Sequence, residues 1–322
     1  MTSRFQNPAR NLIYMGIATL IIMLAIAPSD RFLARASWYY SWNWGEKFFN
    51  QNLYEHGIFG LADIVVVIAV ATIAAYIVSL TPTSIGERLR PYRAQAGFVL
   101  SAGFTMAVSI VHAIKWVTSR TRPHDWFPVN MDAYTHWFEF GNYSLEVGFN
   151  RGAFPGGHVA TMSVLLAYFY FMPTEGRNKH LRWFFAAAVM ILSLVMGWYR
   201  MMMATHWLTD NIASMLLSVM VLYGFYHFLH FPNEAIRQKH PWTASVDRRW
   251  AGWELMFMVA MLGLLFALAT IVVGIRIIFL HSDPSQGLGV FALGCVLSAL
   301  FAECTSWILF RRSWAGGLFQ RG

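Results

Sequence analysis

The sequence predicts an all-helical integral membrane protein with eight membrane-spanning helices. Of its 322 residues, 57% are hydrophobic and only 12% are charged, and the mean hydropathy is +0.45. Soluble globular domains carry about a quarter charged residues, so that class is excluded. The other two observations are the grouping of the apolar residues into eight runs and the position of Lys and Arg residues between those runs.

The eight apolar runs approach the roughly 20 residues that a helix needs to cross a bilayer. They lie at about 12–28, 58–80, 97–115, 154–172, 183–199, 209–231, 255–280 and 288–310, and the fourth and fifth are short. The first run ends in Ala25-Ile26-Ala27, which resembles a signal-peptidase site, but Pro28 disfavours cleavage. We therefore predict that the first helix is retained.

One polar stretch divides the chain into a core and a C-terminal pair. Residues 1–231 hold six runs, residues 232–254 form a predicted cytoplasmic linker, and residues 255–322 hold two further runs. Arg276 and Glu303 are charges inside this pair, at depths too different for direct pairing. A homo-oligomer, if one forms, is expected to use the C-terminal pair.

The Lys and Arg residues set the predicted orientation. With the N-terminus in the cytoplasm, the cytoplasmic loops carry the basic clusters at residues 4–10, 88–93, 177–182, 237–249 and 311–321. The opposite face keeps fewer Lys and Arg residues. We therefore expect a bacterial inner-membrane protein with both termini in the cytoplasm and its outer loops in the periplasm.

Charge and cysteine content exclude two other classes. The net charge of +8 comes from short clusters between apolar runs rather than from one basic face, so nucleic-acid binding is not predicted. Cys295 and Cys304 are nine positions apart within one run, and a single helix cannot bridge that separation with a disulfide.

The first of three polar motifs ends the third run. Lys115 and Arg122 stand seven positions apart, and Pro123 closes the segment. Two cations at the end of a membrane helix are common as anchors that reach the headgroups, so this motif alone is weak.

The second motif, Pro155-Gly156-Gly157-His158, opens the fourth run on the same outer face. Glycines before a helix let backbone N–H groups approach an anion, and the helix dipole adds positive potential. His158 stands where a proton donor would be useful. Many helices begin in this way, so the second motif is also weak by itself.

The third motif lies in the outer turn between the fifth and sixth runs and holds Arg200, His206 and Asp210. If this stretch is helical, His206 and Asp210 share one face, because they are four positions apart. The carboxylate can then accept a hydrogen bond from one ring nitrogen and leave the other nitrogen free to attack.

The topology brings the three motifs to one membrane face, where together they indicate phosphoryl transfer. That chemistry needs cations for the phosphate oxygens, a nucleophile with an orienting carboxylate, and an acid for the leaving group. The predicted phosphate-binding residues are Lys115, Arg122, Arg200, Gly156 and Gly157. The predicted catalytic residues are His206 as nucleophile, Asp210 as its partner and His158 as acid. Because no carboxylate cluster accompanies them, no metal and no cofactor is predicted.

These motifs resemble those of the type 2 phosphatidic acid phosphatase (PAP2) superfamily of membrane lipid phosphatases and phosphotransferases. The family pattern is Lys-x6-Arg-Pro, then Pro-Ser-Gly-His, then Ser-Arg-x5-His-x3-Asp. The positions that match it are Lys115, Arg122, Pro123, Pro155, Gly157, His158, Arg200, His206 and Asp210. The resemblance implies a six-helix PAP2-like core and a metal-independent reaction through a phosphohistidine on His206, with His158 protonating the leaving oxygen.

The implied substrate is a lipid phosphate or pyrophosphate of the undecaprenyl pyrophosphate, phosphatidate, phosphatidylglycerol phosphate or lipid A type. Two positions depart from the pattern, since Gly156 and Tyr199 stand where the family has serine. The Pro-Gly-x-His version is similar to that of enzymes that transfer phosphate from undecaprenyl pyrophosphate to lipid A, which keeps transfer open as the alternative to hydrolysis. An anionic-lipid transporter is the rival outside enzymes.

Two outer segments, 38–54 and 126–149, are rich in aromatic residues. An interfacial aromatic belt is the simpler interpretation. A lid beside an entrance for lipid is the alternative.

Overall fold

The computed structural model describes residues 7–40, 61–126, 134–137, 139, 152–172, 179–228, 253–280 and 284–319, and no strand occurs among them. Nearly all of the predicted linker and of the first aromatic segment lies outside these ranges. The α-helices are α1 (Pro8–Ile26), α2 (Asp30–Tyr40), α3 (Leu61–Ser79), α4 (Ser84–Leu89), α5 (Arg93–Phe104), α6 (Val111–Thr118), α7 (Pro123–Trp126), α8 (Gly157–Ser163), α9 (Lys179–Met202), α10 (Leu208–Phe228), α11 (Trp253–Leu280) and α12 (Pro284–Phe319).

Among the described residues, six helical segments are long and apolar enough to cross a membrane, which confirms the all-helical, multi-pass class. They are Pro8–Ser37, Gln95–Thr118, His180–Met202, Leu208–Phe228, Met256–Leu280 and Pro284–Ile308. The predicted second span, 58–80, overlaps Val65–Ser79. This helix and Ser84–Tyr92 form a pair bent by 112°, which would make a seventh span if the pair is one span.

The predicted fourth span does not meet the length of a regular span, so eight spans are not confirmed. It consists of α8, with 7 residues, and a 3₁₀-helix, Val164–Phe171, with 8 residues. Because a 3₁₀-helix rises about 2 Å per residue against about 1.5 Å in an α-helix, the two pieces together extend only about 26 Å.

The third span is a continuous rod made of α5, a π-helical stretch from Thr105 to Ile110, and α6. It ends at Ser119, whose φ of 41° lies in the left-handed region and whose N–H donates to the carbonyl of Lys115 at 2.9 Å. A left-handed residue is a common way to stop a helix. At about 1.5 Å per residue, Arg93 and Lys115 lie about 33 Å apart at opposite ends of this rod.

The core lies where α3, α5, α8, α9 and α10 meet. Its buried apolar side chains include Val65, Phe98, Val159, Leu166, Met196, Met215 and Leu222. Large apolar side chains on the outer helix faces remain exposed, as with Phe184 and Phe279. Such faces are suited to contact with lipid chains.

The C-terminal helices α11 and α12 pack closely on each other. A Cβ atom at Gly274 would lie 2.5 Å from the backbone of Phe291, so only glycine permits this approach. In turn, α11 packs on the third span, where the rings of Phe266 and Trp116 lie 6.2 Å apart. Glu303 is exposed on α12.

Candidate active site

The three motifs meet at one end of the helix bundle. The first and second are joined by a hydrogen bond from the N–H of Ala153 to the carbonyl of Arg120, at 2.8 Å. The third is joined to the first by the indole N–H of Trp207, which donates to the carbonyl of Thr121 at 2.8 Å. The end of α6, the start of α8 and the turn between α9 and α10 therefore form one framework.

The predicted cations gather around the two histidines. Lys115 is buried, and a Cβ atom at Gly157 would lie 4.0 Å from its ammonium nitrogen. Arg122 and Arg200 are half-buried. All three cations contribute positive potential at both His158 and His206. A region with this concentration of positive charge is suited to binding a phosphate group.

His206 is held by a main-chain carbonyl. Its Nδ1 lies 2.7 Å from the oxygen of Ala153, and the side chain is buried. Since a carbonyl oxygen only accepts, Nδ1 carries the hydrogen and Nε2 carries the lone pair. This is the tautomer that a nucleophilic histidine requires.

Asp210 does not occupy the role that the sequence predicted. Its Oδ2 is 3.6 Å from Nδ1 of His206, beyond hydrogen-bond distance, and accepts instead from the N–H of Trp207 at 2.8 Å. The cause is local, because α10 begins at Leu208 and His206 therefore lies outside the helix. Asp210 organises the turn that carries His206, and Ala153 orients the ring.

A buried ionic network, which the sequence analysis missed, lies under this turn. Arg120 donates to Asp210 at 2.6 Å through Nη1 and to Asp30 at 2.8 Å through Nη2, and all three side chains are fully buried. Asp30 also accepts from the N–H of Thr209 at 2.9 Å. Burial would lower the pKa of Arg120, but the carboxylates of Asp210 and Asp30 outweigh it and raise that pKa above its ordinary value.

Sequence signals for this network were slight. Arg120 stands inside the first motif, but Asp30 follows the first apolar run and resembles an ordinary boundary charge. Ala153 acts through its backbone, which every residue type shares.

Burial and nearby cations favour the neutral form of both histidines. Burial lowers the pKa of His206 well below its ordinary value, and the charges of Lys115 and Arg200 lower it further. Burial and repulsion from Arg200 lower the pKa of His158 to about 3. A bound phosphate would offset that repulsion and raise the pKa of His158, so protonation of His158 is expected to accompany phosphate binding.

Gly156 is fixed by packing against Asn211. A Cβ atom at Gly156 would lie 2.7 Å from Oδ1 of Asn211, and the amide of Asn211 donates to the carbonyl of Gly197 at 3.0 Å. Asn211 therefore occupies the room that a serine side chain would need. A serine at position 156, as in the family pattern, would therefore collide with Asn211 unless that side chain moved.

The backbone at Gly156 is also not available as the predicted phosphate donor. Its N–H donates to the carbonyl of Asp210 at 3.0 Å, which joins the second motif to the third. Gly157 is the first residue of α8, where amide groups have no partner within the helix. Its role in phosphate binding stays a prediction.

The described part of the second aromatic segment packs onto this framework. The ring of Tyr134 packs edge to face against that of Trp207, with centroids 4.9 Å apart. The guanidinium carbon of Arg31 lies 4.3 Å from the centroid of the Tyr134 ring. The ring of Trp137 lies 6.2 Å from that of Phe154. Tyr134 and Trp137 thus support the second and third motifs. The rest of the segment lies outside the described residues.

Within the part of the chain that the structure describes, no group of three or more His, Cys, Asp or Glu side chains is arranged to hold a metal ion. The polar groups at the site are mainly cations and neutral histidines, a set of donors suited to binding an anion.

A multi-pass helical bundle that gathers cations and neutral histidines at one end defines a membrane protein with an anion site. The family model described as PAP2 superfamily matches residues 94–234, in agreement with the resemblance of the three motifs. Members are generally phosphatases, which supports hydrolysis of a phosphoric ester. No curated protein and no solved structure matches the chain. Asp30 lies outside the matched region.

Replacement of Arg120 by leucine is expected to lower stability strongly. The change leaves Asp30 and Asp210 buried without their shared cation, and breaking a buried ion pair in this way costs about 3–5 kcal/mol. Arg31→Leu is the matched control, because an exposed arginine over a ring contributes only about 0.5–1 kcal/mol. The thermal midpoint of each detergent-solubilised variant is measured from the fraction of protein that stays monodisperse on heating. Equal midpoints for Arg120→Leu and Arg31→Leu would contradict the assignment of Arg120 to a stabilising buried network.

Gly156→Ser is expected to impair the site only while Asn211 is present. The serine Cβ would collide with Asn211, which is held in place by its hydrogen bond to Gly197. In the double variant with Asn211→Ala the space is open, so a coupling of about 0.5–3 kcal/mol is expected between the two positions. Thermal midpoints and phosphatase rates of wild type, both single variants and the double variant give this coupling. Additive effects would show that the two residues do not compete for space.

Proposed function

We propose that this protein is a membrane lipid phosphatase that hydrolyses a lipid phosphate or pyrophosphate through a phosphohistidine on His206. The observation that carries the proposal is the hydrogen bond from Nδ1 of His206 to the carbonyl of Ala153 at 2.7 Å. It leaves Nε2 with a lone pair inside a region made positive by Lys115, Arg122 and Arg200. A transporter needs no such tautomer, so this bond favours an enzyme.

In the first step, Nε2 of His206 attacks the phosphorus atom as the bond to the lipid oxygen breaks. Lys115, Arg122 and Arg200 bind the phosphate oxygens, where negative charge is concentrated in the transition state. Nδ1–H donates to Ala153 throughout, so the carbonyl dipole stabilises the positive charge that develops on the ring. The carboxylate of Asp210, 3.6 Å from Nδ1, adds to this stabilisation.

The leaving oxygen receives a proton from His158, which takes it up as the phosphate binds and offsets the repulsion from Arg200. In the second step water attacks the phosphorus atom, His158 accepts one of its protons, and the P–N bond breaks. Inorganic phosphate leaves, and His206 returns to its neutral form. No metal ion is required in this scheme, because side-chain cations carry the charge of the phosphate.

A lipid substrate fits the position of the site at the ends of membrane-spanning helices whose outer faces are apolar. We place this end of the bundle in the periplasm of a bacterial inner membrane. The support is the distribution of charge. Arg93 lies about 33 Å from Lys115, at the opposite end of the third span, and Arg88 and Arg90 precede it in the chain. Basic residues at the end of a span favour the cytoplasm.

The same phosphoenzyme can pass its phosphate to a lipid hydroxyl instead of to water. Such an enzyme would be a phosphotransferase with undecaprenyl pyrophosphate as donor and lipid A as acceptor. Hydrolysis and transfer share the first step and differ only in the second, so a donor assay with and without an acceptor separates them.

The purified protein is expected to release phosphate in EDTA from at least one of undecaprenyl pyrophosphate, phosphatidate, phosphatidylglycerol phosphate and lipid A. His206→Ala removes the nucleophile and should lower the rate at least about a thousandfold. His158→Ala should lower it by about 10²–10⁴-fold. Colorimetric phosphate release with each substrate measures these effects, with Glu303→Gln on the exposed face of α12 as the control for folding.

Several outcomes would overturn this proposal. Full activity in His206→Ala would exclude the phosphohistidine, and activity that EDTA abolishes and Mg²⁺ restores would exclude the metal-independent scheme. No release without an acceptor, but phosphate appearing on added lipid A, would identify the transferase.

The orientation is expected to show in thiol labelling. In a background of Cys295→Ser and Cys304→Ser, Glu139→Cys places a thiol at an exposed position near the site, and Glu87→Cys places one near the opposite end of the third span. A membrane-impermeant maleimide should label the first variant in intact spheroplasts and the second only after lysis. The reverse pattern would put the site in the cytoplasm.

A further inference from the structure

The C-terminal helix pair reaches the candidate site through one side chain. Arg276 of α11 donates through Nη1 to the carbonyl of Val117 at 2.5 Å and to the hydroxyl of Ser119 at 3.2 Å. The side chain is 8% exposed and lies about one helical turn from the end of α11 at Leu280. Arg276 lies outside residues 94–234, the region that the family model matches.

The two contacted residues, Val117 and Ser119, lie at the end of α6, the helix that carries Lys115. Carbonyls at the end of a helix lack partners within it, and the helix dipole makes this end negative. A guanidinium satisfies both features, because it donates to the carbonyl and brings positive charge to the dipole. The left-handed conformation of Ser119, at φ 41°, sets the direction in which the chain continues toward Arg120 and Arg122.

From Ser119 a chain of hydrogen bonds continues to the proposed nucleophile. The next residue, Arg120, accepts from the N–H of Ala153 at 2.8 Å through its carbonyl. The carbonyl of Ala153 in turn accepts from Nδ1 of His206 at 2.7 Å. A shift of the 117–120 segment would therefore move the group that fixes the ring of His206.

We infer that Arg276 is a positioning residue of the active site and that the C-terminal pair is part of the catalytic unit. Through its contacts with Val117 and Ser119, Arg276 acts on the backbone of residues 117–120 and, beyond it, on Ala153. This inference deepens the proposed function and rests on it for the rate effect, but its effect on the 117–120 segment is independent of any reaction.

The test compares Arg276→Gln and Arg276→Lys with wild type and with Ile275→Ala, a neighbouring position that is 40% exposed on the same helix. Two quantities are measured in each protein: the kcat and KM of phosphate release, and hydrogen exchange at the amides of Ser119 and Ala153.

Arg276→Gln is expected to lower kcat/KM by about 10- to 100-fold, since small displacements of catalytic groups have effects of this size. Most of the loss should fall in kcat, because the hydrogen-bond chain ends on His206, and exchange at Ser119 and Ala153 should become faster. Arg276→Lys keeps one charged donor for the Val117 carbonyl and should recover part of the rate. Ile275→Ala should match wild type in both measurements.

Wild-type kcat and unchanged exchange in Arg276→Gln would overturn the inference, as would an equal loss in Ile275→Ala. If Arg276→Gln does not yield folded protein, Arg276→Lys decides: an intermediate kcat with faster exchange supports the inference, and a wild-type kcat with unchanged exchange refutes it. If the proposed function is wrong, the results differ, because His206→Ala then keeps full activity. Amide hydrogen exchange in the Arg276 variants still reports whether Arg276 holds residues 117–120 in place.

Discussion

The architecture of this protein depends on one buried cation. Arg120 has no access to water, and a charge in that position is tolerated only when opposite charges and hydrogen-bond acceptors surround it. Asp30 and Asp210 meet this need, and they come from the start of α2 and the start of α10. Since each carboxylate would be costly without the arginine, three distant segments are constrained to meet at one point. The turn that carries His206 is built on that point.

The sequence predicts the gathering of the motif side chains because membrane topology leaves them little freedom. Once the third and fifth runs are helices of bilayer length, Lys115 and Arg200 must lie at the same face. Asp30 could not be predicted in the same way, since it lies 90 positions before Arg120 and its partner is set by packing. Nor could Ala153, because its contribution is a main-chain carbonyl.

Other differences between expectation and structure also have local causes. The fourth run was predicted as a span from its apolar length, but half of it is a 3₁₀-helix, and composition does not distinguish the two kinds of helix. The sequence showed that Gly156 departs from the family pattern but not that Asn211 of α10 occupies the space of a serine side chain. The pairing of His206 with Asp210 assumed a helix that begins two residues later. In each case tertiary contacts decided what spacing alone left open.

The use of a backbone acceptor for His206 has a consequence for how this site tolerates sequence drift. In a site oriented by a carboxylate, one codon change at the acceptor removes the hydrogen bond. Here the acceptor survives any replacement at position 153 that fits the space beside Trp207 and Tyr134. The ring orientation is therefore protected against point mutation at position 153 itself and is vulnerable instead to changes that displace the main chain between the first and second motifs.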